Sequence, residues 1–214
     1  MRVSLNEVTF TGRDFQALDG ISCDIVDGTS VLIMGPSGSG KTLLMKMMAG
    51  IVPPSSGDIY YDRHAFSTMS DRDLKRFRLK QGFVFQDSAL WQNLSVYQNL
   101  ALPLEYHYPR RSNEHVNDRI DSLCRRMGFT QNLSQRPIHL SAGERKVAAI
   151  IRALVLDPDT VFMDEPSVGL DSTASDRLLQ LLKDLKTRGK TLVIASHDSE
   201  IASMIADSIL VVDD

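Results

Sequence analysis

The chain has 214 residues, 43% of them hydrophobic and 24% charged, which at about 150 residues per domain points to one soluble globular domain with an attached subdomain. Lysine plus arginine total 24 against 27 for aspartate plus glutamate, so a net charge of −3 argues against a general nucleic-acid binder, and two distant cysteines, Cys23 and Cys124, exclude a disulfide framework. No apolar run reaches the ~18 residues that cross a bilayer and the N-terminus lacks a signal-peptide core, so a cytosolic chain is expected, with any membrane role supplied by a partner.

The first 34 residues read as β structure. Val3, Leu5 and Val8 are spaced apolar positions, Ile21, Cys23 and Ile25 alternate strictly, and Asp27-Gly28 marks a turn. Residues 30–34 form a short continuous apolar run, the pattern of a parallel strand covered on both faces. A glycine-rich loop follows, then a helix over 42–49 that ends at Gly50. Residues 55–90 return to short strands around one charged helix, with a buried strand over 82–86. Residues 90–136 read as helical, including an amphipathic stretch over 116–127. Beyond Ser141, helices over 142–156, 172–188 and 200–206 alternate with strands over 161–163, 191–195 and 209–212. That alternation implies a parallel sheet with helices on both faces.

Gly35-Pro36-Ser37-Gly38-Ser39-Gly40-Lys41-Thr42 fits the phosphate-binding pattern G-x-x-x-x-G-K-[ST], preceded by an apolar strand and followed by a helix. Its glycines let main-chain N–H groups turn toward phosphate oxygens, and the helix adds its positive end. Lys41 is expected to reach the β and γ phosphates and the Thr42 hydroxyl to bind Mg²⁺. A second apolar strand, 161–163, runs into Asp164-Glu165-Pro166. Paired with the loop, Asp164 is expected to hold Mg²⁺ and Glu165 to polarise the attacking water.

The order of motifs resembles the ATP-binding-cassette (ABC) ATPases over nearly the whole chain. Gln86 in FVFQD matches the family's Q-loop glutamine, and Leu140-Ser141-Ala142-Gly143-Glu144 resembles its LSGGQ signature. Val168-Gly169-Leu170-Asp171 resembles the D-loop, and Ala195-Ser196-His197-Asp198 the switch-histidine segment. The resemblance implies an α/β P-loop NTPase in one domain over 1–214. Its mixed-sheet core and antiparallel β subdomain would come from 1–89 and 141–214, and its helical subdomain from about 90–140. It also implies ATP hydrolysis with Mg²⁺, with Gln86 sensing metal and water and His197 touching the γ-phosphate. Ser141 is placed to cap the following helix, whose N-terminus offers a second anion site that cannot lie beside the first in the same chain. In the family that site, with Ser141, Ala142, Gly143, Glu144 and Asp171, closes over ATP held by a second cassette.

The departures are specific. Ala142 and Glu144 replace a usual glycine and glutamine, adding a methyl and a negative charge from which slower closure is expected. The arginine usual three residues after the signature is Val147, preceded by Arg145 and Lys146. Phe10 and Phe15 are the candidates for stacking on adenine.

A single cassette without a membrane span implies, by the same resemblance, a subunit held at the inner membrane face by a separate permease. The apolar segment 89–104 is expected to form the permease groove, with Leu90, Trp91, Leu94, Val96, Tyr97 and Leu100 as a contiguous patch. It resembles the lipid-transport branch associated with mammalian-cell-entry proteins. The alternative is a regulatory ATPase that acts with a membrane partner in cell division or envelope maintenance. A DNA-repair ATPase is disfavoured by the lack of a sustained heptad run.

Overall fold

A computed structural model of the chain describes residues 1–12 and 16–213. Five strands, β3 (Ser30–Met34), β6 (Gln81–Val84), β7 (Thr160–Asp164), β8 (Thr191–Ala195) and β9 (Ser208–Val211), form a parallel sheet in the order β6-β7-β8-β3-β9. Four others, β1 (Val3–Thr11), β2 (Gln16–Ile25), β4 (Ser56–Tyr61) and β5 (His64–Ala65), form an antiparallel sheet in the order β2-β1-β4-β5. The α/β architecture is as expected. The antiparallel pairings form a sheet of their own, as expected of the β subdomain, and among the described residues the core sheet is parallel rather than mixed.

The central strands are buried along their whole length because each strand face meets a different layer. Alternate side chains project to opposite faces. Val161, Met163, Leu192 and Ile194 enter a cluster with the helices α3 (Val96–His107), α4 (Asn113–Met127), α5 (Ala142–Leu154) and α6 (Ser172–Thr187). Phe162, Val193 and Ala195 enter the other cluster, with α1 (Lys41–Met48) and the antiparallel sheet. A polar residue on either face would lose its water without a partner, so the strand interiors 31–34, 161–163 and 192–195 read as apolar runs.

The helices beyond β6 follow local rules. Ser95 and Gln98 make a capping box that starts α3, so the helix begins at Val96 and not at Leu90. Val116, Ile120, Leu123, Cys124 and Met127 put one apolar stripe of α4 against the core. The strand expected over 82–86 stops at Val84. Ser88 and Ala89 take left-handed φ values of 65° and 44°, which turn the chain out of the sheet.

The register aligns the chemistry. Asp164 pairs with Ala195, two residues before His197. Val84 pairs with Met163, and β3 runs directly into Gly35. The loops after β3, β6, β7 and β8 therefore leave the carboxyl edge of one sheet, where open parallel sheets place their ligand sites. Among the described residues, no helix is long and apolar enough to cross a membrane.

Candidate active site

The loop 35–42 departs from β3 because nothing larger than glycine fits at its first position. A Cβ on Gly35 would stand 2.1 Å from the Val212 carbonyl oxygen and 2.8 Å from Ser39 Oγ. Gly40 then caps α1, and Lys41 is its first residue. The Lys41 ammonium lies against the loop, donating to the carbonyls of Gly35 at 2.8 Å and Pro36 at 2.5 Å. Those bonds hold the ammonium beside loop 35–42.

A cavity of about 510 Å³ gathers Ser37, Gly38, Gly40, Lys41 and Thr42 with Gln86, Asp164, Glu165 and His197. Residues expected from four separate motifs thus share one space. Thr42 Oγ1 donates to Asp164 Oδ2 at 2.7 Å, and Asp164 is 2% exposed. A hydroxyl and a single carboxylate are hard oxygen donors of the kind Mg²⁺ takes when phosphates supply further ligands. Among the described residues, no group of three or more His, Cys, Asp or Glu side chains is placed to hold a metal by itself. The donor set therefore fits a metal that arrives with a nucleotide.

Glu165 follows Asp164 with φ at +46°, a conformation costly for a residue with a side chain, and its N–H donates to the Ala195 carbonyl at 2.8 Å. The turn brings Glu165 Oε1 to 3.5 Å from His197 Nε2; the His197 side chain is largely exposed and that of Glu165 mostly buried. Phe10 lines the same cavity, while Phe15 lies outside the described residues.

The signature residues do not join this cavity. Ser141, Ala142, Gly143, Glu144 and Asp171 line a different one, of about 530 Å³, which shares no lining residue with the first among those described. Ser141 caps α5 as expected, its Oγ accepting from the Glu144 N–H at 3.2 Å. Glu144 returns the bond, accepting from the Ser141 N–H at 2.7 Å and from Gln131 Nε2 at 2.6 Å. The charge expected to weigh on a phosphate is thus folded onto its own helix cap. Asp171 caps α6 by accepting from the Ala174 N–H at 2.7 Å.

The segment 89–104 corrects one expectation. Leu90, Val96 and Leu100 are buried in the core, and Leu94 and Tyr97 are half-buried, so the six residues do not form a contiguous surface patch. Apolar positions spaced along α3 point inward, and sequence proximity to Gln86 did not reveal that. Trp91 is 59% exposed, so of the six it is the one that stands on the surface. A groove of about 460 Å³ does lie there, with Trp91, Pro103 and Tyr106 facing Phe83, Phe85 and Arg152.

Two functional-site neighbours escaped sequence reasoning. Lys146 and Arg152 bind main-chain carbonyls around Gln86, the first those of Phe85 and Gln86, the second those of Ser88 and Ala89. The available signal was a cation at each end of an otherwise apolar stretch of α5. Burial pulls the Lys146 ammonium below the usual lysine value, and Asp164, Asp87 and Glu165 oppose that pull. Burial likewise pushes the thiols of Cys23 and Cys124 up to about 11, so neither is a ready nucleophile.

Comparison with known proteins agrees with this geometry. The family described as ABC transporter matches residues 18–168. The lipoprotein-releasing system ATP-binding protein LolD of Bacteroides thetaiotaomicron is 35% identical over 99% of this chain and 97% of its own length. The methionine import ATP-binding protein MetN of Haemophilus influenzae is 32% identical over 99% of this chain, which spans 62% of that protein. The solved structure of the cassette MJ0796 in a dimeric post-hydrolysis state with ADP and Pi superposes with a TM-score of 0.91 at 32% identity, over 98% of this chain and 94% of that one. The chain belongs to the ATP-binding-cassette transporter family and is an ATPase of that family.

Proposed function

We propose that the chain binds MgATP on loop 35–42 and hydrolyses it only when a second cassette closes over the nucleotide, so that the cycle drives a membrane permease. The observation that carries this reading is the separation of the two cavities. Lys41, Thr42, Asp164, Glu165 and His197 share one, whereas Ser141, Gly143 and Asp171 share the other. A head-to-tail pair lets the signature face of each copy cover the phosphate loop of its partner. The dimeric cassette similar to this chain supports that arrangement.

In this reading Lys41 exchanges the carbonyls of Gly35 and Pro36 for phosphate oxygens. Thr42 and Asp164 would hold the Mg²⁺ that accompanies ATP, whose charge offsets that of the phosphates. Glu165 accepts a proton from the attacking water, and His197, 3.5 Å away, orients that carboxylate and reaches toward the γ-phosphate. Gln86 lines the same cavity and stands at the root of the segment that leads to the groove beside Trp91. A groove with exposed tryptophan and tyrosine suits a short cytoplasmic helix of a permease, because such side chains anchor interfaces. That partner would hold the chain at the inner membrane face. The similarity to LolD, which is named for lipoprotein release, supports a lipid or lipid-bearing cargo.

The test is light scattering of Glu165→Gln with and without ATP. A monomer that becomes a dimer with ATP is the expected result, and Ser141→Arg in the same background is expected to prevent it while ATP still binds. A dimer that ignores nucleotide would refute the proposal.

A further inference from the structure

The helix that begins at the signature reaches under the hydrolytic end of the sheet through one side chain. Lys146 is 3% exposed, and among the described residues it makes no ion pair. Its Nζ donates instead to three main-chain carbonyls, those of Gln86 at 2.8 Å, Glu165 at 3.2 Å and Phe85 at 3.3 Å. A lysine ammonium has three protons, so donors and acceptors match in number. The acceptors belong to two segments far apart in sequence, and each carries left-handed backbone at a non-glycine residue. Glu165 has φ +46°, and Ser88 and Ala89, just after Gln86, have +65° and +44°. Such conformations persist only where the surroundings hold them. Arg152, farther along the same helix, holds the carbonyls of Ser88 and Ala89. Val147, where the family usually has arginine, is 6% exposed and packed in the core, and the buried lysine stands one residue earlier.

We infer that Lys146 is a positioning residue that sets the Glu165 carboxylate and the Gln86 side chain from the signature helix, tying the attitude of α5 to the hydrolytic centre of its own chain. The inference rests on the proposed role of Glu165 as base. Lys146 bonds neither side chain directly; it holds the main chain from which each departs. A displacement of about 1 Å at a reacting group costs up to roughly 100-fold in rate, so a lost anchor registers in turnover rather than in nucleotide affinity.

Lys146→Met keeps the length of the side chain and removes its donors. The expected result is a fall in kcat for ATP hydrolysis of roughly 10- to 100-fold, with ATP Kd by calorimetry unchanged within about twofold. Lys146→Gln, which keeps an amide donor, is expected to recover part of the rate, and it carries the same series of measurements if Lys146→Met does not fold. The deciding comparison adds Lys146→Met to Glu165→Gln. Residual turnover is expected to fall by clearly less than in the single variant, because one of the two groups that Lys146 positions is already gone. Additive losses, an equal loss of binding and turnover, or an unchanged kcat in the single variant would each overturn the inference. Wild-type turnover in Glu165→Gln alone would instead refute the role of Glu165, so the two failures are distinguishable.

Discussion

Gly143→Ala tests the geometry of the signature face with a single methyl. A Cβ at position 143 would stand 2.6 Å from the Gly169 carbonyl oxygen, whereas ordinary contact begins at 3.4 Å. The helix start or the 169–171 turn must therefore give by about 0.8 Å, and the atom in the way is main chain rather than the end of a flexible side chain. Overpacking of this kind costs about 1–3 kcal/mol. For a chain of this size each kcal/mol moves Tm by about 2–4 °C, so a fall of roughly 2–12 °C is expected by calorimetry. The displaced turn carries Asp171, the cap of α6, so ATP-dependent dimerisation and turnover are expected to fall as well. ATP affinity of the monomer is expected to hold, because loop 35–42 stands on other elements. A variant with wild-type Tm and wild-type turnover would refute the claim that signature and D-loop are locked in one register.

Lys41→Ala removes the only ammonium bonded across the phosphate loop among the described residues, and calorimetry is expected to show ATP binding lost. Trp91→Ala changes an exposed side chain, so the fold is expected to lose no more than about 0.5 kcal/mol. Truncating an interface anchor of this kind costs about 2 kcal/mol, so association with the intact permease is expected to weaken roughly 30-fold. Intact association of Trp91→Ala with a clearly lowered Tm would contradict that assignment.

Most of the sheet and its motifs were legible because their signals are local. A parallel strand buried on both faces must be apolar along its interior, and 31–34 and 192–195 are. The phosphate loop carries its own geometry in its glycines, and the Ser141 cap follows from a side chain that bonds its own helix. Contacts between distant segments were not legible. The apolar residues of 89–104 resembled a surface patch, but α3 turns most of them into the core and leaves Trp91 outside. Glu144 looked like charge near a phosphate until Gln131, distant in sequence from the helix start, proved to share it with the cap. Lys146 reads as an ordinary helical lysine, and only the packing of α5 beneath Gln86 and Glu165 gives it three carbonyls.

The central claim is that each hydrolytic site is built from two chains, the phosphate loop of one and the signature of the other. Mixing Lys41→Ala with Ser141→Arg tests it most directly. Alone, each variant is expected to be inactive, because Lys41→Ala binds no ATP and Ser141→Arg offers no signature face to close over it. Mixed, they form pairs in which the intact loop of the Ser141→Arg chain faces the intact signature of the Lys41→Ala chain. The account predicts that ATP hydrolysis reappears on mixing and tracks the fraction of mixed dimers. Two inactive variants that stay inactive while forming mixed dimers with ATP, or a Ser141→Arg variant that hydrolyses ATP alone at the wild-type rate, would contradict it.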